Sequence, residues 1–244
     1  MASEKQENPL INLAINIIIP AVILSKFTKP EYLGALNGLL VALAFPVAYG
    51  IHDFAVRRKA NFFSIIGFIG ILLTGAIGVF HFPSEWVAYK EASVPLLFGA
   101  AVLISLRTPF PLVRKFVYNK ELLDVERIDG ILEQTGNRPQ FEKMLVNATY
   151  MLAASFLVSS ALNFALAKVI VKSPSGTEAF TAELGKMLAL SYPVIALPTT
   201  VLMLGAVWYL CRALKKITGL TTDELLAEKL RDEKKPSAKE EIKK

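Results

Sequence analysis

Residues 32–51 read YLGALNGLLVALAFPVAYGI, twenty positions without a charged side chain. At 1.5 Å per residue, a helix of that length reaches about 30 Å, the thickness of bilayer hydrocarbon. Only a segment that satisfies its own backbone hydrogen bonds can sit there. Working outward, five further apolar runs have comparable reach, near 9–25, 62–80, 90–106, 147–167 and 187–211. The run at 90–106 opens on Lys90 and Glu91, with Trp86 and Tyr89 as an aromatic belt at its mouth and Lys90 placed to snorkel toward headgroups. The first run follows a polar head, Met1 to Asn8, that has neither a basic n-region nor a small-residue cleavage site, so it is expected to stay in the mature chain. The expected fold is all-α, a polytopic transmembrane helical bundle of about six spans.

Composition points the same way. The 244 residues are 53% hydrophobic and 20% charged, with a mean hydropathy of +0.45, more apolar and less charged than an ordinary soluble domain. One cysteine, Cys211, forms no intramolecular disulfide, and with only His52 and His81 beside it the chain offers no zinc or iron-sulfur ligand set. Carboxylate-bound magnesium or calcium has no ligand spacing to support it. No cofactor is expected. Neither is an enzyme, since no nucleophile elbow occurs, His81 falls on the far side of the bilayer from His52, and no acidic residue lies deep in any run.

With six spans, both termini share a side with the 52–61 and 107–143 loops. That side holds 21 Lys and Arg against 6 on the other. The bias predicts both termini in the cytoplasm, with Arg57, Arg58 and Lys59 the densest short-loop signal. The formal charge of +6 is then mostly topology. Aromatics do not interleave with these bases, so nucleic acid is not an expected partner.

Four segments follow: 1–106 with four spans, a cytoplasmic linker at 107–143, a transmembrane hairpin at 144–211 and a charged cytoplasmic tail at 212–244. The linker stretch 120–145, KELLDVERIDGILEQTGNRPQFEKML, places Leu122, Val125, Ile128, Ile131 and Leu132 at helical spacing. It predicts an amphipathic helix to Glu133, stopped around Gly136-Asn137-Arg138-Pro139. In the tail, Thr222 is the expected N-cap before Leu225, Leu226 and Leu230, and DEKKPSAKEEIKK at 232–244 lacks the apolar content to fold.

Inside the spans, small residues recur every four positions: Gly34, Gly38, Ala42, Pro46 and Gly50 in the second, Gly70, Thr74 and Gly78 in the third, with Gly67 and Gly75 beside them. Small residues let backbones approach in lipid, so these two helices are expected to pack tightly. Asn12 and Asn16 in the first span, Asn37 in the second, and Asn147, Ser155, Ser159 and Asn163 on one face of the fifth form a polar pattern. Either they bond helices together, or Asn12, Asn16, Asn37, Ser159 and Asn163 line a polar cavity. Pro20, Pro46, Pro95, Pro193 and Pro198 can break their helices, a device transport proteins use at binding sites. His52 with Asp53, and Lys90 with Glu91, are candidate charge sites at the two interfaces.

The stretch 80–113, FHFPSEWVAYKEASVPLLFGAAVLISLRTPFPLV, resembles the intracellular septation protein A family and related multi-pass bacterial proteins. The resemblance rests on Phe80-His81, Trp86, Lys90, the small residues Gly99 and Ala100, Ser105 and the exit Arg107-Thr108-Pro109. Asn12, Pro20, Tyr49-Gly50 and Arg57-Arg58-Lys59 extend it toward the N-terminus, and Asn147, Phe156 and Leu162-Asn163 toward the C-terminus. It implies a multi-pass protein of the bacterial inner membrane, linked to the envelope or septation, with no catalytic residues to carry over. The longer 107–143 loop and the charged tail depart from that pattern. A scaffold in the envelope is the leading expectation, and a small-solute transporter with an asparagine-lined cavity the alternative. Membrane lipids, envelope or division proteins and a second copy of the chain are the expected partners.

Overall fold

The computed structural model describes residues 13–57, 62–108, 112–116, 118, 120 and 123–227. Asn12, Arg58, Lys59, Leu122 and Leu230, named above, lie outside the described residues. Among these residues the fold is helical throughout. A π-helical turn, Ala14–Ile18, leads into α1 (Ile19–Lys26), followed by α2 (Gly34–Arg57), α3 (Phe62–Val79), α4 (Glu85–Ser105), α5 (Leu112–Phe116), α6 (Val125–Thr135), α7 (Arg138–Ile170) and α8 (Glu178–Ser191). A second π turn, Tyr192–Ala196, joins α8 to α9 (Leu197–Thr218), and α10 (Thr222–Leu225) closes the described chain. Four helices are long and apolar enough to cross a membrane: Gly34–His52, Glu85–Ser105, Arg138–Ile170 and Glu178–Thr218. Two shorter apolar helices accompany them, Ala14–Lys26 and Ile69–Val79. The fifth apolar run begins earlier than its hydropathy suggests, because α7 starts at Arg138 and runs unbroken for 33 residues.

The chain divides into two compact units, residues 1–96 with 158–198 and residues 97–157 with 199–244. In the first, α2 and α3 pack antiparallel, with Gly75 and Gly78 of α3 against Leu43 and Leu39 of α2, which lie beside the expected α2 stripe, and with Gly78 also facing Phe180. Gly38 takes the Thr28 side chain instead, while Gly34, Gly50 and Gly70 meet nothing. Phe180 opens α8 at the level of Leu39, next to Gly38 and Thr28, whereas Gly185, further along α8, sits against Ala21, Leu24 and Ser25. α8 therefore runs antiparallel to α1.

That register sets the two π turns at one depth, each about 12–14 Å along its helix from the Gly185 contact. Both turns end two residues before a proline. The N–H of Ile19 reaches back to the Ala14 carbonyl and that of Leu197 to the Tyr192 carbonyl, and Pro20 and Pro198 then bring no N–H of their own. Prolines and π turns are both places where a helix departs from its regular hydrogen-bond ladder. The turn between α7 and α8 is tied by Glu183, whose carboxylate accepts the N–H groups of Lys172 (2.8 Å) and Ser173 (2.9 Å) and the Ser173 hydroxyl (2.8 Å).

The second unit gathers the linker and the tail into a cap. Asp124 caps α6 by accepting the Arg127 N–H. Gly136 ends the helix in the left-handed region at φ 68°, a conformation that costs glycine nothing. Ile128 and Leu132 of α6 pack fully buried against Phe141 and Leu145 of α7 and Leu210 and Leu214 of α9. Tyr118 packs its ring against Phe141 at 4.7 Å between ring centres, tilted by 54°. The α10 N-cap is Thr221, one residue before the Thr222 expected from sequence, because Glu224 returns its carboxylate to the Thr221 N–H at 2.9 Å and completes a capping box. A single bridge pairs Leu123 with Leu226, and Asp124 donates its N–H to the Leu225 carbonyl.

Gly185 marks the closest approach of a described glycine to the backbone of another helix. A Cβ there would lie 2.8 Å from Leu24 Cβ and 2.9 Å from the Ala21 carbonyl oxygen, with backbone on the far side. Gly185→Ala should therefore destabilise the protein by about 1–3 kcal/mol, while Gly205→Ala, which meets nothing, should be neutral or slightly stabilising. Thermal unfolding of both variants in detergent checks this, and equal midpoints would remove the close contact. A second expectation concerns Glu224, whose carboxyl is held below its ordinary range by the Thr221 N–H and hydroxyl and by Arg127. A depressed pKa gives stabilisation that is complete above the ordinary carboxylate value of about 4 and lost as pH falls through the folded value. Intrinsic-rate-corrected hydrogen exchange at 221–227 should therefore quicken on acidification in the wild type and be fast at neutral pH in Glu224→Gln.

Candidate functional site

The polar residues picked from sequence fall at separate places. Asn16 is half-buried in the first π turn, and Asn37 lies on an exposed face of α2. Ser159 and Asn163 meet each other: the Asn163 amide donates to the Ser159 carbonyl at 2.8 Å and lies 3.4 Å from its hydroxyl, both on its own helix. The bond from α7 to a neighbouring helix in this unit comes from a residue not singled out, Ser160, which donates to the Ala92 carbonyl of α4 at 2.8 Å. Asn147, in the second unit, donates its amide to the Tyr209 hydroxyl at 3.1 Å. His52 is exposed near the end of α2, and the Asp53 side chain lies outside the described set.

Lys90 has the most developed surroundings. Its ammonium lies 2.6 Å from Glu91 Oε1, donates to the Thr74 hydroxyl at 2.7 Å and reaches the Gly70 carbonyl at 3.4 Å. Thr74 in turn donates to the same Gly70 carbonyl at 3.1 Å. Counting back from Val79, the end of α3, these acceptors lie about 8–14 Å along the helix. The ammonium thus turns inward to α3 where snorkelling toward the headgroups was expected. Gly70 contributes a carbonyl here, with no side chain to cover it, and Thr74 a hydroxyl, so two stripe positions read from sequence as packing residues also hold a charge. With side-chain exposures of 14% for Lys90 and 28% for Glu91, the pair is largely withdrawn from its surroundings, and three acceptors answer the three ammonium protons.

At the turn preceding α4, His81 adopts a positive φ of 55°, which is uncommon outside glycine. Its ring fills the space left open by Gly176, itself at φ 81°, and Ser175 donates to the Phe82 carbonyl beside it. Phe82 stacks on Trp86 at 5.9 Å, and Phe80, Trp86 and Tyr89 are exposed. This aromatic edge beside Lys90 fits a headgroup belt. Among the described residues no group of three His, Cys, Asp or Glu side chains converges to hold a metal.

Comparison with family models, with curated proteins and with solved structures gives no match for this chain.

The Lys90 geometry makes a direct prediction. Lys90→Met leaves the Glu91 carboxylate without its partner and should lower stability by about 1–2 kcal/mol, the partial exposure of the pair holding the loss below that of a fully buried one. Adding Glu91→Gln should restore part of that loss. A double-mutant cycle by thermal unfolding in detergent measures the coupling, and strictly additive losses would show that the two charges do not interact.

Proposed function

We propose that the chain is a six-span protein of the bacterial inner membrane, both termini cytoplasmic, acting without catalysis as a scaffold for envelope or division proteins. The observation that carries this reading is the cap. The linker and the tail, which a simple pore has no need to order, close over a shared hydrophobic core at the bases of α7 and α9. Ion pairs among the described residues lie at the surface of that core, among them Arg114–Glu142, Lys120–Glu126, Arg127–Glu224 and Arg138 with both Asp129 and Glu142. A rigid surface of that kind suits a docking platform. The resemblance of residues 80–113 to the septation family supports the same assignment, and the two shorter apolar helices, Ala14–Lys26 and Ile69–Val79, supply the first and third spans.

One observation favours small-solute transport as a second reading. The π turns before Pro20 and Pro198 lie at one depth in antiparallel neighbours, and paired interruptions of this kind are how transporters expose backbone to a substrate.

Single cysteines in a Cys211→Ser background test the topology. Lys172→Cys should react with a membrane-impermeant maleimide on intact cells, and Gln134→Cys only after permeabilisation; the reverse pattern inverts the protein. Function is tested by two readouts on the full chain. Scaffolding predicts that charge reversal of the exposed Glu133 brings back the envelope phenotype of the gene's loss in the complemented strain without lowering protein level, and that proteoliposomes take up no more solute than empty vesicles. Uptake above that background, abolished in Asn16→Leu, would assign transport instead.

A further inference from the structure

The second unit carries two exposed stripes that change character at the same level. Along α9, Val201, Leu204, Trp208 and Arg212 recur on one face, and along α7 so do Leu157, Tyr150 and Lys143. In each the order is aliphatic, then aromatic, then cationic, the succession met on leaving hydrocarbon for the headgroup layer. The two helices are joined by the Asn147–Tyr209 hydrogen bond at 3.1 Å, which sets Tyr150 level with Trp208 and Lys143 level with Arg212 for antiparallel neighbours.

These charges differ from four other cations of the second unit, and share the lack of a carboxylate partner among the described residues with Lys215 and Lys216 further along α9. Arg114, Lys120, Arg127 and Arg138 are each paired with a carboxylate. Among the described residues no carboxylate pairs with Lys143 or Arg212, both of which are exposed. The Arg212 guanidinium is instead held over the Trp208 ring, 5.4 Å from its centre, a cation–π contact that orients it while leaving its donors open. An oriented Arg212 and an exposed Lys143 at about one depth, neither with a carboxylate partner among the described residues, lie just beyond a pair of aromatic rings and leave a negative charge to be supplied from outside.

We propose that Lys143 and Arg212, with Tyr150 and Trp208 beneath them, bind the phosphate of an anionic phospholipid in the leaflet facing the cap, its acyl chains lying on the Leu157 and Val201–Leu204 surfaces. The guanidinium offers a forked donor to phosphate oxygens, and the ammonium a point charge. The aliphatic continuation of both stripes selects a lipid over a free phosphate. The site rests on the cap lying outside the bilayer, as proposed above; the cysteine labelling tests that placement by itself, and lipid retention is measured without reference to it.

The test uses the purified full-length chain in detergent. Native mass spectrometry after addition of dioleoyl phosphatidylglycerol should show retained lipid and a raised unfolding temperature, with dioleoyl phosphatidylcholine giving neither. Lys143→Gln/Arg212→Gln should weaken retention about tenfold or more, while Arg107→Gln/Lys168→Gln, exposed cations elsewhere, should retain lipid as the wild type does. An unchanged affinity in the Lys143/Arg212 variant would overturn the site, as would an equal loss in the control variant, which would mark non-specific charge attraction. Glycerol 1-phosphate producing the same thermal shift at the same concentration would overturn the lipid as its source. Trp208→Leu guards against a folding defect. It keeps both charges and should weaken retention by releasing Arg212, so full retention there would also count against the proposal.

Discussion

The contact of Gly185 with the backbone of α1 is the constraint on which the first unit depends. Helices in lipid gain little from hydrophobic burial, and their attraction comes from close van der Waals contact. At Gly185 the α8 backbone comes against Ala21, Leu24 and Ser25 with no side chain between. That approach fixes the register of the two helices. From it follow the level of Phe180 against Leu39 and Gly78 and the depth at which the two π turns lie. A larger residue at 185 would separate the helices, and the proline-bearing turns would lose their alignment with them.

The second unit is held by a different force. Ile128, Leu132, Phe141, Leu145, Leu210 and Leu214 are fully or almost fully buried, and their core joins α6 to α7 and α9 by removal of apolar surface. The caps at Asp124, Gly136 and Thr221 satisfy helix ends that the core cannot. Asp129 joins the two levels of structure, accepting from Tyr118 at 3.1 Å and from Arg138 at 2.8 Å. Burial, followed by the neighbouring Asp129 charge, keeps the Tyr118 phenol protonated well above its ordinary range, so this tie is indifferent to any physiological change of pH.

Much of this was legible in the residues. Uninterrupted apolar runs located α2, α3, α4, α9 and the apolar part of α7, since hydrocarbon leaves no other option for the backbone, but α8 begins at Glu178, nine residues before the run at 187–211. Gly136 marked the end of α6, and the α3 glycines marked its contact with α2 through Gly75 and Gly78, whereas the α2 stripe did not, since Gly38 takes Thr28 and Gly34 and Gly50 meet nothing. Other features were hidden. The extension of α7 back to Arg138 was masked because the residues before Asn147 are polar on one face and apolar on the other, a pattern of cap burial that hydropathy averages away. The partners of Lys90 lie sixteen and twenty positions away on another helix, and no spacing rule reaches that far. Trp208 and Arg212 did carry a local signal, four residues apart on a helix, which the apolar run ending at Cys211 obscured.

Position relative to water decides what each charge does. Between exposed groups an ion pair adds little, because the ions lose hydration for a screened attraction. The cap pairs gain from being anchored on helices already fixed by the core, so little additional freedom is lost on pairing. Withdrawn among α3 and α4, the Lys90 ammonium faces a larger cost if left alone, and the structure surrounds it with a carboxylate, a hydroxyl and a carbonyl. Lys143 and Arg212 stand between these cases, at a level where the medium itself changes. Water can hydrate them there, but it cannot supply the opposite charge. The surrounding surface, aromatic and then aliphatic, gives them no protein carboxylate either. A cation held in one orientation at such a boundary gains most from a ligand that is anionic at one end and apolar at the other. Phospholipid has that form, and the aliphatic–aromatic–cationic order of both stripes follows it.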